Sequence, residues 1–136
     1  MSAENNIQTV KHMYAAFKRG DGEAMVKCCA ENLKVVIDIG VDIIPWAGEY
    51  EGHEGLREEQ RRMADAVNVT HFEQLDFLAS ETRVAVVNEV ELTLKKNGRT
   101  VSVPRFVQIL TFNSAGQIEH VCQAYDPTDI LNVFRS

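Results

Sequence analysis

The side chains of this chain whose types and placement can support chemistry are one carboxylate, one phenol and two amides. Asp38 lies in a run of alternating residues, 33–39, and is the candidate general base. Burial in apolar surroundings raises a carboxylate's pKa toward the range where it takes up and returns a proton. Alternation also admits it to the solvated face of that run. Tyr14 can donate to a developing oxyanion or continue a core stripe. Gln108 and Gln123 donate and accept hydrogen bonds but do not shuttle protons at neutral pH. They suit recognition of a ligand carbonyl or hydroxyl, or they bond each other and the backbone to satisfy the core. Trp46 and Tyr50 fall in an irregular stretch, where either stacks on a flat ligand or plugs a pocket mouth. His12, His53, His71 and His120 are scattered without paired helical spacing, so no metal site is expected. The chain has no Gly-rich phosphate loop, nucleophile elbow or CxxC motif, and no cofactor is expected.

Length and composition frame what positions these groups. The chain has 136 residues, 45% hydrophobic and 25% charged, which fits one globular domain over 1–136 with a core of its own. Fourteen basic against 20 acidic residues give a net charge of −6, which disfavours nucleic acid or an anionic membrane as a partner. The basic cluster from Arg57 to Arg62 is interrupted by Glu58 and Glu59 and reads as the solvated face of a helix. Three cysteines, Cys28, Cys29 and Cys122, make a poor disulfide framework and read as free thiols in a reducing compartment. With no signal-peptide pattern at the start and no apolar run of membrane-spanning length, a cytoplasmic protein is expected.

Periodicity supplies the elements. Ile7, Val10, Tyr14 and Phe17 recur at helical spacing up to Gly20. Asp21 caps a second helix with Met25, Cys28 and Cys29 inside and Asn32 at its end. The stretch 33–39 reads as a strand with Leu33, Val35, Ile37 and Ile39 on one face, and 40–52 reads as irregular. A third helix buries a stripe of Leu56, Met63 and Val67. The period then changes to two, giving strands over 69–79, 83–96, 99–112 and 117–125. A short helix after Asp126-Pro127 carries Ile130, Leu131 and Phe134. Helices first and strands last predict an α+β domain with helices packed on one sheet face.

The Asn97-Gly98 turn sets which side chains face inward. A two-residue turn opposes Val90 to Arg105. A three-residue turn opposes Glu89 to Arg105 and Val90 to Pro104. The opposite-charge pair favours the second, and a one-residue slip would exchange the faces. This register places Asn88, Val90 and Leu92 inside with Phe106, Gln108 and Leu110, and puts Val101, Val103, Val107 and Ile109 outside. Val121, Gln123 and Tyr125 form one row of the last strand. An outer face this apolar predicts a homodimer through it.

Several local signatures are familiar. Tyr14-Ala15-Ala16-Phe17 with Gly20-Asp21 resembles the first helix of SnoaL-like proteins of the nuclear-transport-factor-2-like superfamily. So do Ile44-Pro45-Trp46-Ala47-Gly48 with Gly52, Phe112-Asn113 with Gly116-Gln117-Ile118, and Tyr125-Asp126-Pro127. The resemblance implies a cone-shaped, curved antiparallel sheet with three N-terminal helices packed on its concave face around an apolar pocket. Tyr14, Phe17, Trp46, Gln60, Met63 and Val90 would line that pocket, with Leu92, Phe106, Gln108, Gln123 and Tyr125. Ketosteroid isomerases of this fold use an aspartate base beside an oxyanion hole of a tyrosine and a protonated aspartate. Those positions fall on Ile37, Met13 and Gln108, with Asp38 and Tyr14 one place later than the first two. The histidine and aspartate of SnoaL-like polyketide cyclases fall on Gln108 and Gln123. The implied function is a pocket protein for an apolar small molecule, acting by acid–base isomerisation, cyclisation or hydration of a cyclic compound with Asp38 as proton acceptor. The alternative is a non-catalytic ligand-binding or dimerisation module. One scaffold of this kind carries many functions, so the site must decide.

Overall fold

The computed structural model describes residues 2–135. Helix α1 (Ala3–Lys18) starts at Ser2, whose hydroxyl accepts from the Asn5 amide at 3.0 Å. Asp21 caps α2 (Gly22–Lys27) in the same way through Ala24 N at 3.1 Å. Between them Gly20 takes a left-handed φ of 74°, which glycine adopts without the Cβ penalty. Then follow β1 (Cys29–Ile37), β2 (Gly48–Glu51), α3 (Gly52–Ala66), β3 (Val67–Ala79), β4 (Arg83–Leu94), β5 (Thr100–Phe112), β6 (Ile118–Ala124) and α4 (Thr128–Arg135).

The six strands form one sheet in the order β2-β1-β6-β5-β4-β3. It is mixed rather than wholly antiparallel: β1 and β6 run parallel, with Val35 opposite Val121. A parallel neighbour requires a long crossover, and here β2 to β5 all intervene in sequence. No local signal announces such a pair.

Two further expectations change. The second helix stops at Lys27, and Cys29 opens β1. The cause is tertiary: the Cys28 carbonyl accepts from Ile118 N of β6 at 3.0 Å, drawing the chain into the sheet. The stretch 40–52 is not wholly irregular, because Gly48–Glu51 pairs with β1, Tyr50 opposite Val35. Four residues with polar Glu49 and Glu51 carry too little alternation to be read alone. The short helix expected after Asp126-Pro127 forms as α4, and its Phe134 stands edge-on to Trp46 at 5.6 Å.

The β4–β5 connection follows neither expected turn. Leu94 and Arg99 close a four-residue loop, with the Gly98 amide donating to the Leu94 carbonyl at 2.8 Å and Gly98 at φ 70°. Helix ends explain the length. The Lys95 amide and Nζ donate to the Ala66 and Ala64 carbonyls at 2.9 and 2.6 Å, and Lys96 Nζ donates to the Phe134 carbonyl at 2.6 Å. One loop therefore caps the C-termini of α3 and α4. A bulge then resets the ladder: Val90 pairs with Val103, but Asn88 pairs with Phe106. Pro104 lies in the bulge, where it has no N–H to give the ladder. Beyond it the expected inner row of Asn88, Phe106 and Gln108 is in register. Before it Val101 and Val103 turn inward, 5% and 6% exposed, against their expected place outside. Glu89 does not pair with Arg105; its carboxylate is 2.9 Å from His71 Nε2.

The core joins α1 and β1 to the long strands through Val10, Leu33, Ile37, Val84, Leu94, Leu110 and Ile118. Buried Asn6 ties α1 to the β3–β4 turn by donating to the Ser80 and Glu81 carbonyls at 3.3 and 3.0 Å. No helix among the described residues is long and apolar enough to cross a membrane.

Candidate functional site

The helices and the sheet border a partly open cavity of about 110 Å³. Its wall includes all eleven residues expected to line a pocket. Tyr14 and Phe17 come from α1, Trp46 from the loop before β2, and Gln60 and Met63 from α3. Val90 and Leu92 come from β4, Phe106 and Gln108 from β5, Gln123 from β6, and Tyr125 from just beyond it. Two periodicities meet here: the buried stripes of the helices and every second residue of the strands.

Tyr14, one place beyond the isomerase position, points into the sheet. Its hydroxyl donates to Gln108 Oε1 at 2.6 Å, and its ring stands edge-on to Phe72 at 5.4 Å. Burial raises the Tyr14 phenol well above its ordinary pKa, opposed by the neighbouring Asn88 amide. Gln108 and Gln123 are direct partners across the β5–β6 ladder. Tyr125 stands edge-on to Phe106 at 5.2 Å, and burial pushes its phenol up to about 12.

Asp38 does not belong to this site. It follows the last residue of β1, is exposed, and contributes nothing to the cavity wall. Alternation turns Ile37 inward, 2% exposed, and leaves its neighbour to solvent. The carboxylate that does line the cavity is Glu59, 5% exposed. Desolvation raises its pKa to about 7, against a hydrogen bond from Gln60 Nε2 at 2.5 Å that lowers it. Among the described residues no arginine, lysine or histidine pairs with it. Reading 57–62 as a solvated face holds for Arg57, bound to Glu23 at 2.9 Å, and for Arg62, bound to Glu58 at 2.9 Å. It fails for Glu59. The signal was present in the spacing: Glu59 lies three residues after Leu56 and four before Met63, on the stripe expected to be buried.

Tyr50 does not line the cavity but is bonded to Trp46, which does. Its hydroxyl donates to the Trp46 carbonyl at 2.9 Å, and the Arg62 guanidinium lies 5.6 Å from its ring. Gly55 allows this approach, since a Cβ there would meet the Tyr50 backbone carbon at 3.0 Å. Cys29 lines the cavity as a protonated thiol, its pKa pushed up to about 12 by burial. His53 contacts the Cys29 carbonyl at 2.9 Å. His71, Glu73 and Glu89 form the one grouping of metal-ligand type found among the described residues; none of the three lines the cavity.

Comparison with known proteins follows the same lines. The SnoaL-like domain profile matches residues 10–121. No curated protein matches the chain significantly. An NTF2-like protein of unknown function from Burkholderia pseudomallei superposes with a TM-score of 0.87 at 22% identity, covering 97% of this chain and 98% of its own. An NTF2-like protein from Burkholderia xenovorans gives 0.85 at 26% identity, covering 97% of each chain. SalBIII, an epoxide hydrolase/cyclase-like enzyme in pyran ring formation in the polyether salinomycin, gives 0.73 at 22% identity, covering 93% and 94%. A domain profile spanning most of the chain, on a sheet and helices that superpose over nearly its whole length, places this protein in the SnoaL-like family.

Proposed function

We propose that the protein takes a small, largely apolar cyclic compound into this cavity and moves a proton on it through Glu59, in an isomerisation, cyclisation or hydration that needs no cofactor. One observation carries the reading: a carboxylate buried in an apolar wall, with no cation paired to it among the described residues. Such a group has both protonation states populated near neutral pH, so it can remove a proton and return it elsewhere. The base thus comes from α3 and not from the end of β1. Cavity size favours a compact guest, since an apolar cavity of roughly 150 Å³ holds one benzene ring. Likeness to SalBIII is consistent with ring chemistry on this scaffold.

The test is protein-catalysed deuterium exchange at the carbon next to the carbonyl of cyclohexanone, followed by NMR across pH. The expected profile rises with an apparent pKa near 7. Glu59→Gln should lower the rate by at least about a hundredfold, the ordinary contribution of a positioned base, while Asp38→Asn leaves it unchanged. Exchange undiminished in Glu59→Gln would overturn the assignment. The second reading, a binding module without turnover, is favoured by the Tyr14 hydroxyl, which is already committed to Gln108. It would be selected by ligand binding without any exchange.

A further inference from the structure

Phe72 of β3 and Val90 of β4 line the cavity, so alternation turns His71, Glu73 and Glu89 to the opposite face of the sheet. Spacing and register bring these three together. His71 and Glu73 are two residues apart on β3, and Glu73 lies directly opposite Glu89 on β4. His71 Nε2 is 3.6 Å from the Glu73 carboxylate and 2.9 Å from that of Glu89. The three donor atoms all lie within 4.8 Å of one another. The scattering of the histidines in sequence conceals such a grouping, because two of its donors are carboxylates and one comes from a neighbouring strand.

Charge and spacing both call for a cation here. Like charges directly opposite across an antiparallel pair are destabilising. Among the described residues the ion pairs of both Glu73 and Glu89 run to His71 alone. One imidazole, neutral or singly charged, does not balance two carboxylates; a divalent cation does. Donors about 2.0–2.2 Å from a tetrahedral zinc ion lie roughly 3.3–3.6 Å from one another. The 2.9 and 3.6 Å separations from His71 bracket that edge length, so two sides of a coordination face are already in place. An imidazole nitrogen with carboxylate oxygens is a donor set that zinc accepts. The metal takes the place of a hydrogen at Nε2, and the neutral ring keeps its one proton on Nδ1.

We infer that His71, Glu73 and Glu89 bind a zinc ion, or a divalent transition-metal cation of like preference, on the outer face of β3 and β4, with the fourth position open to water. The ion clasps an edge. β3 is the last strand of the sheet and, among the described residues, pairs with β4 only. Irregularities break that ladder between Val69 and His71 and between Gln74 and Asp76, so 71–74 is a short regular stretch between two breaks. Phe72 within it stands edge-on to Tyr14 and to Phe17, at 5.4 Å in each case. Tying β3 to β4 at this point holds that part of the cavity wall in place. The role is structural, and the inference does not depend on what the cavity binds or on Glu59.

The experiment titrates zinc chloride into protein freed of metal with a chelator, following the histidine ring protons by NMR and measuring thermal unfolding alongside. One equivalent should shift the His71 ring signals. At a hundredfold excess over Kd the melting temperature should rise by about 5–10 °C. His71→Asn, Glu73→Gln and Glu89→Gln should each weaken binding at least about tenfold, whereas His120→Asn should bind as the wild-type protein does. Glu73→Gln gives a signature that loss of packing would not: by relieving the opposed charges it should raise the melting temperature of the metal-free protein while lowering that of the zinc-bound one. No shift at His71 with zinc at about 1 mM, the weak end of specific affinities, would overturn the inference. So would an affinity unchanged in His71→Asn, with the zinc held instead by other histidines or by Cys28 and Cys122.

Discussion

The Tyr14 hydroxyl and Gln108 Oε1, 94 residues apart in sequence, are joined by a 2.6 Å hydrogen bond that links the first helix to the fifth strand. The bond does two things. It satisfies a phenol that is 4% exposed, and it removes the acceptor half of an amide from the cavity.

Cutting that bond has an asymmetric cost. Tyr14→Phe leaves Gln108 Oε1 without its donor inside an apolar wall, and it should destabilise the fold by about 1–3 kcal/mol, the cost of an unmet buried polar group. Gln108→Leu in the Tyr14→Phe background removes the orphan and should recover part of the loss. Urea denaturation of the four proteins measures the coupling; simple additivity would show that the bond contributes nothing of its own.

Glu59 makes stability depend on pH in a defined direction. Its folded pKa, about 7, lies above the ordinary carboxylate value of 4.5, so the folded state holds the proton more tightly than the unfolded one. The stability contributed is fully present below pH 4.5 and is lost as pH rises through 7. The loss amounts to about 3 kcal/mol at full ionisation. Glu59→Gln should flatten this part of the profile and make the variant the more stable protein at pH 8. Equilibrium unfolding at pH 5 and pH 8 reads the difference, and a wild-type protein that gains stability over that interval relative to Glu59→Gln would contradict the burial of this carboxylate.

The cysteines should separate by accessibility. Cys28 and Cys122 are half-buried, whereas Cys29 is 3% exposed with its thiol pKa pushed up to about 12. A thiolate is the reactive form. In the native protein a disulfide reagent should therefore modify Cys28 and Cys122 and spare Cys29 until denaturant is added. Mass mapping of the labelled peptides gives the result directly.

Much of the cavity wall is legible in the sequence, and each departure has its own physical cause. Tyr14, Phe17, Gln60 and Met63 lie on helical stripes; Val90, Leu92, Gln108 and Gln123 follow strand alternation. Both patterns predict an inner side from short stretches of chain. Glu59 sat on one of those stripes and was missed because its charge and its basic neighbours outweighed its phase. Asp38 was misplaced because its type suited the chemistry while its phase on β1 sent it outward. The β4–β5 register depended on a loop whose length is set by the ends of α3 and α4 and on a bulge at Pro104, none of which a hairpin motif contains.

What the amino-acid order determined by itself is therefore the set of elements and which face of each is apolar, since a repeat of 3.6 or 2 residues is local and survives any arrangement. The tertiary structure alone decided that β1 lies parallel to β6, that Glu59 is buried with no counter-charge among the described residues, and that the Tyr14 hydroxyl takes up the Gln108 oxygen. Each of those depends on groups far apart in sequence meeting in space, and desolvation and hydrogen-bond direction have no values until they meet.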